Sequence, residues 1–298
     1  MKFRFWGVRG SIATPGAKTL KYGGNTTCIE VRGDHNELLV LDGGTGIFQL
    51  AQTLFGEFPV QVNIFLTHTH WDHIQGLPMF TPIFVPGNQV TIHGPADVSD
   101  PDGRRGIKTV LARQMEYAYF PVKESELKAQ MRYVDLREHQ EIQIGSLRIR
   151  NQMLTHPVLN YGYRIECNGK SLVFTGDYEW PYNIYEPEDP EYPDVEAIIT
   201  EERARTLGFF QDADVLIIDT AYTLEEYPKR KGWGHGVFDA SIQAGIQAKV
   251  KRLYLTHHEP TRSDDALEQA FATAMARNPH DPTRIQIELA REGEMLDI

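Results

Sequence analysis

The chain has 298 residues, 41% hydrophobic and 24% charged, the balance of a soluble globular protein with enough apolar material for a sizeable core. No run of 18 apolar residues occurs, which excludes a membrane-spanning helix and leaves no membrane partner to expect. The formal net charge of −11, from 30 basic and 41 acidic residues, opposes general binding to polyanions but leaves room for a small phosphorylated substrate.

The segment Met1-Lys2-Phe3-Arg4-Phe5-Trp6 alternates like a strand and lacks the features of a signal peptide, so a cytoplasmic location is expected. Cys28 and Cys167 lie far apart and read as two reduced thiols. The turn Tyr22-Gly23-Gly24-Asn25-Thr26-Thr27 offers backbone and amide donors suited to phosphate oxygens, with a plain hairpin turn as the rival reading.

Five apolar runs follow in chain order, each ending on a residue that can ligate metal or move protons. They are Leu38 to Leu41 before Asp42, Asn63 to Thr67 before His68, and Leu172 to Gly176 before Asp177. Val215 to Ile218 then precedes Asp219, and Leu253 to Thr256 precedes His257. Such runs read as buried strands, and polar residues gathered at their ends point to a site along one edge of a sheet sandwich. Helices are expected over 48–55, 108–119, 237–250 and 264–276, the last capped by Ser263 with Leu267, Phe271 and Met275 on one face. Stretches near 95–135 and 178–210 interrupt the pattern as insertions. The Pro- and acid-rich part, 178–199, reads as a solvated loop or a lid. Neither breaks the chain, and one domain over 1–298 is the expected organisation.

The densest chemistry lies in His68-Thr69-His70-Trp71-Asp72-His73. In an extended segment 68, 70 and 72 share a face, and a turn after them directs Asp72 and His73 to a second point. Three imidazoles and a carboxylate within six residues supply the donors that zinc accepts.

This motif resembles the signature of the metallo-β-lactamase superfamily of hydrolases, which implies an α/β fold of four αββα layers. By that resemblance His68, His70 and His156 (in Leu154-Thr155-His156-Pro157) hold one metal ion. Asp72, His73 and His257 hold a second, and Asp177 spans both. His257 is favoured over the adjacent His258, which then faces away or stands behind it, and Asp42 resembles a supporting carboxylate. Two Zn2+ ions are implied, with Mn2+ or Fe as alternatives.

The order Val215 to Ala221, then Gly232-Trp233-Gly234-His235-Gly236, resembles the RNase Z and cyclic-nucleotide phosphodiesterase branch. That implies an acid–histidine pair in which Asp219 orients His235 as general acid, beside Asp72 as a further catalytic group. Phe5 to Ser11 and Tyr22 to Thr27 resemble the opening of a bacterial phosphodiesterase-like subfamily, which makes Asn25 a candidate phosphate donor. The expected activity is metal-dependent hydrolysis of a small phosphodiester such as a cyclic nucleotide, by attack of a metal-bridging hydroxide. Hydrolysis of an ester, lactone or thioester on the same core is one alternative. RNA processing is another, made less attractive by the acidic charge and by the lack of a basic, Gly-rich arm. A homodimer is one expected state by analogy, in which the 110–119 surface either packs against a partner or caps the pocket.

Overall fold

The structure is a computed structural model in which residues 1–96 and 106–298 are described; residues 97–105, inside the expected insertion 95–135, lie outside them. Six strands open the chain: β1 (Lys2–Gly7), β2 (Cys28–Arg32), β3 (Leu38–Leu41), β4 (Gln61–Phe65), β5 (Gln89–Pro95) and β6 (Gln130–Leu136). Seven more follow: β7 (Glu141–Ile144), β8 (Leu147–Leu154), β9 (Asn160–Cys167), β10 (Lys170–Phe174), β11 (Val215–Asp219), β12 (Arg252–Thr256) and β13 (Gln286–Leu289). The final strand, β14 (Met295–Asp297), returns to the edge of the first sheet beside β1. The sheets run β14-β1-β2-β3-β4-β5-β6 and β13-β12-β11-β10-β9-β8-β7.

Each of the five apolar runs forms a strand, and the period-2 alternation explains why they are apolar throughout. In β3, Leu39 and Leu41 face the interior between the sheets while Leu38 and Val40 face the outer helices of the first sheet. In β11, Val215 and Ile217 face inward while Leu216 and Ile218 meet the helices on the second sheet. Both faces of both sheets are therefore covered, giving the four αββα layers. Burying each such Leu, Ile or Val contributes roughly 1.5–3 kcal/mol over leaving it exposed.

The outer layers are α1 (Gly46–Thr53), the single turn α2 (Trp71–Ile74) and α3 (Ile107–Gln114) on one side. On the other lie α4 (Tyr192–Phe210), α5 (Phe238–Gln247) and α6 (Asp264–Arg277). Helix α6 matches its expectation, with the Ser263 hydroxyl accepting from Ala266 N and Leu267 buried on its inner face. Helix α5 stops three residues early because Lys249 takes a left-handed conformation (φ 54°) just past its end. Helix α3 also ends early, and exposed Tyr117 and Tyr119 lie in the turn beyond it.

Helix α4 departs most from expectation. The segment 178–191 is loop, but 192–210 is a 19-residue helix, opened by Pro193 in its first turn and Asp194 beside it. Only Ile199, Thr206 and Phe210 are buried along it, so it carries almost no apolar stripe to read. The 95–135 stretch likewise holds an integral strand: β6 pairs in parallel with β5 over seven residues.

Candidate metal centre

Strands β3, β4, β8, β10, β11 and β12 all point the same end toward one edge of the sandwich, where the residues just past them converge. The extended conformation after β4 runs only to His70 (φ −64°, ψ 153°); the helical turn begins at Trp71. That switch lets the sequence neighbours Asp72 and His73 both turn to a point different from the one His68 and His70 face.

Three groups of donor atoms result, each with all its atoms within 4.8 Å of one another. One holds His68, His70, His156 and Asp177; another holds Asp72, His73, Asp177 and His257; the third overlaps the second and adds Asp219 and His235 to Asp177 and His257. Asp177 is common to all three. Its Oδ2 lies 3.6 Å from His68 Nε2 and 4.0 Å from His156 Nε2. Its Oδ1 lies 3.1 Å from His73 Nε2 and 3.2 Å from His257 Nε2. His70 Nδ1 is 3.3 Å from His156 Nε2.

The far side of three of the rings, those of His68, His73 and His156, is already committed. His73 Nδ1 donates to Asp42 Oδ2 at 2.7 Å, and His156 Nδ1 donates to the Gly234 carbonyl at 2.9 Å. Thr67 Oγ1 donates to Asp42 Oδ2, which leaves it to accept from His68 Nδ1 at 3.1 Å. Each of these histidines thus presents an Nε2 lone pair inward. The inward atoms His68 Nε2, His73 Nε2 and Asp177 Oδ1 are buried and find no hydrogen-bond partner in the chain. Buried polar groups of this kind require a partner, and nitrogen and carboxylate donors in two overlapping sets suit two divalent cations.

The electrostatics agree. Burial holds His68, His70 and His156 below their ordinary imidazole values, in the neutral form a metal takes. Burial opposes charge on His73 too, but Asp177, Asp72 and Asp42 outweigh it and lift that imidazole well above its usual range. His257, likewise opposed by burial, is raised to about 9 by Asp177 and Asp219. The carboxyl of Asp177 is held well below its usual range; burial works against this, and His257, His73 and His68 overcome it. The site has a surplus of buried carboxylate that calls for positive charge.

The supporting frame is tight. Asp42, with φ 59°, accepts from Thr67 N and His73 and so ties the ends of β3 and β4 to α2. His257 also has a positive φ of 58°, and its ring lies on Gly10, where a Cβ would sit 2.2 Å from Cε1. Ser11 N donates to Asp72 Oδ2 at 2.7 Å. His235 Nδ1 donates to Asp219 Oδ2 at 2.9 Å, and its ring stacks 4.6 Å from that of His257. Asp219 Oδ1 also faces His257 Nδ1 at 3.6 Å, beyond hydrogen-bond distance.

Asn25 lies elsewhere, whereas His258 faces away from the cluster, one of the places expected for it beside His257. Asn25 does not present its amide to the cluster: Nδ2 donates to Glu292 and Oδ1 accepts from Thr45 Oγ1, so both ends are spent holding the N-terminal turns together. His258 points its ring away, with Nε2 on the Ala290 carbonyl at 2.8 Å, and burial drops it to about 3. A contributor missing from the sequence reading is Glu179, two residues past Asp177. Its backbone N donates to Thr155 O beside His156, and its carboxylate accepts from Tyr227 OH, Gly232 N and Gly234 N. Its only trace in the sequence is an acid set inside the aromatic run Tyr178-Glu179-Trp180.

The chain belongs to the β-lactamase superfamily, whose domain model matches residues 38–258. Fold and family together make it a metallo-β-lactamase-fold hydrolase, and that fold implies divalent metal. Among its relatives is Ribonuclease Z of Lactiplantibacillus plantarum, 25% identical over 267 residues that cover 78% of this chain and 80% of the relative. Its fold is shared with the metallo-β-lactamase fold protein YhfI of Bacillus subtilis, at a TM-score of 0.66 and 20% identity over 99% of both chains. A diphosphatase of the PhnP family superposes with a TM-score of 0.65 and 18% identity over 100% of this chain and 97% of the other. No helix among the described residues is long and apolar enough to cross a membrane.

Proposed function

We propose that the protein is a zinc-dependent phosphodiesterase acting on a small phosphodiester, with His235 as general acid. The single observation that carries this reading is the Asp219–His235 pair, 2.9 Å apart, set against the shared carboxylate Asp177, whose Oδ2 is 3.8 Å from His235 Nδ1. In this reading His68, His70 and His156 hold one ion, Asp72, His73 and His257 hold the other, and Asp177 serves both. Bound there, two divalent ions supply Lewis-acid charge to a phosphoryl group and acidity to a water molecule.

The chain's own residues do the rest. With Nδ1 donated to Asp219, His235 keeps Nε2 as the atom that delivers a proton to the departing alkoxide oxygen. Asp219 fixes the plane of the ring, and the His257 ring stacked against it limits rotation. Asp72, anchored by Ser11 N, keeps its carboxylate between His73 and His257.

The test is turnover of bis(p-nitrophenyl) phosphate and cyclic AMP by zinc-loaded protein and by His235→Ala. Cyclic AMP hydrolysis should fall by on the order of 10²–10⁴-fold in the variant. The p-nitrophenyl ester should fall less, because its leaving group needs no proton. No product from either diester, or acyl-ester hydrolysis indifferent to His235→Ala, would sink the reading. A second reading, RNA processing, is favoured by the relatives named Ribonuclease Z. The net charge of −11 opposes it. Tight retardation of precursor tRNA in a gel-shift experiment would reverse that preference.

A further inference from the structure

This acidic chain carries three consecutive basic residues, Lys229-Arg230-Lys231, immediately before Gly232-Trp233-Gly234-His235. Neighbouring cations are spent on carboxylates, Arg262 on Glu226 and Arg277 on Glu225 and Asp239. Among the described residues Lys229, Arg230 and Lys231 make no ion pair. Two of them rest on aromatic rings instead. The Arg230 guanidinium lies 4.7 Å from the Trp233 ring centroid and 5.8 Å from that of Tyr222, and Lys231 Nζ lies 4.0 Å from the Tyr182 ring. Stacking fixes the charge in space while leaving every N–H free to donate.

The same loop is fastened to the metal centre. Tyr222 sits 6.0 Å from the His235 ring. Glu179 clamps the amides of Gly232 and Gly234. Gly234 packs so closely on His156 that a Cβ would come within 2.3 Å of its Nδ1. Unpaired cations are therefore held at a set position beside the residues expected to cut the diester, in a chain of net charge −11.

We propose that Arg230 and Lys231 form a second anion subsite that takes a non-reacting phosphate of the substrate. The preferred substrates are then phosphodiesters bearing at least one further phosphate. This deepens the phosphodiesterase reading and rests on it. The extra phosphate is either a terminal monoester or the next diester of a short oligonucleotide, and these present the same charged oxygens.

The experiment compares kcat/KM of zinc-loaded protein for the dinucleotide ApA, its 5′-phosphorylated form pApA and the trinucleotide ApApA. Charge-assisted contacts to one phosphate predict a preference of about tenfold over ApA. It should appear with pApA if the group is terminal and with ApApA if it is the next linkage. In the Arg230→Ala/Lys231→Ala double variant the ratio should fall to about one. A second readout does not need turnover: tryptophan fluorescence, to which Trp233 contributes, titrated with adenosine 3′,5′-bisphosphate and with AMP. The bisphosphate should bind about tenfold more tightly than AMP in the parent protein and equally in the double variant. An unchanged selectivity ratio in the variant, or no preference for the bisphosphate in the parent, overturns the subsite. Absence of any diester cleavage with the bisphosphate preference intact overturns the phosphodiesterase reading alone.

Discussion

The two halves of the centre are built differently. Asp72, His73 and His257 are buried, and each is gripped from behind: Asp72 by Ser11 N, His73 by Asp42, His257 by the surface of Gly10. In the other half His68 is just as buried and held by Thr67, but His70 is exposed, and His156 leans on a loop through the Gly234 carbonyl. The first half is framed by strand ends of both sheets and the first helical turn, while the second depends on a loop that also carries His235. The contrast is one of access: His70 alone of the six histidine and aspartate donors unique to one half is open to solvent, and it lies on the side of the loop that carries His235.

That division can be broken by substitution. Gly234→Ala should have the largest effect, because Gly234 has φ 86° and its new Cβ would press on His156. Diester turnover should fall by at least about 100-fold, the scale expected when a reacting geometry shifts by an ångström. The ligands of the buried half should keep their metal, as measured by bound zinc per chain. Gly16→Ala, where a Cβ meets nothing within 4 Å, is the control. Asp42→Asn probes the other half. Removing the carboxylate behind His73 should weaken the zinc that His73 holds by about 10–100-fold and the other, reached only through Thr67 and His68, by less, as read by competition with a chromophoric chelator.

A smaller effect, outside both halves, sets the baseline. Glu166 is held at about 2; partial burial would raise it, but Arg164 and Arg148 outweigh that. A depressed carboxylate stabilises the fold above its unfolded value of about 4.3, and that contribution is lost as pH falls toward 2. The group sits at the surface among arginines and is still in contact with solvent, so screening limits the gain to at most about 1 kcal/mol. Glu166→Gln should lower the urea midpoint slightly at pH 7, by a margin that shrinks between pH 5 and pH 3, with bound zinc unaffected at pH 7.

The contrast between the halves also explains what could be read from the sequence. The cluster from His68 to His73 was legible because its donors are contiguous. Asp177 and His257 were legible because each follows a strand buried on both faces. Asp42 showed itself in the same way, and its contact with His73 follows from strands β3 and β4 lying side by side. The frame was not legible. Ser11 contributes a backbone amide, which leaves no mark on residue type, and Glu179 acts on a loop more than fifty residues away. Nor could spacing reveal that Asp219 faces His257 as well as His235, because that requires the parallel pairing of β11 and β12. Asn25 misled because an amide beside glycines suits a phosphate and a carboxylate equally; here Glu292 takes it. Helix α4 was hidden by its evenly mixed surface and by the prolines at 187 and 190 before it.

The central claim is that two distinct ion sites share Asp177. The direct measurement is zinc stoichiometry by elemental analysis on the parent protein, His257→Ala, His70→Ala and Asp177→Ala. Two ions per chain should fall to one in each histidine variant and to none, or weakly held traces, in Asp177→Ala. One ion in the parent protein, or two retained in Asp177→Ala, would contradict it.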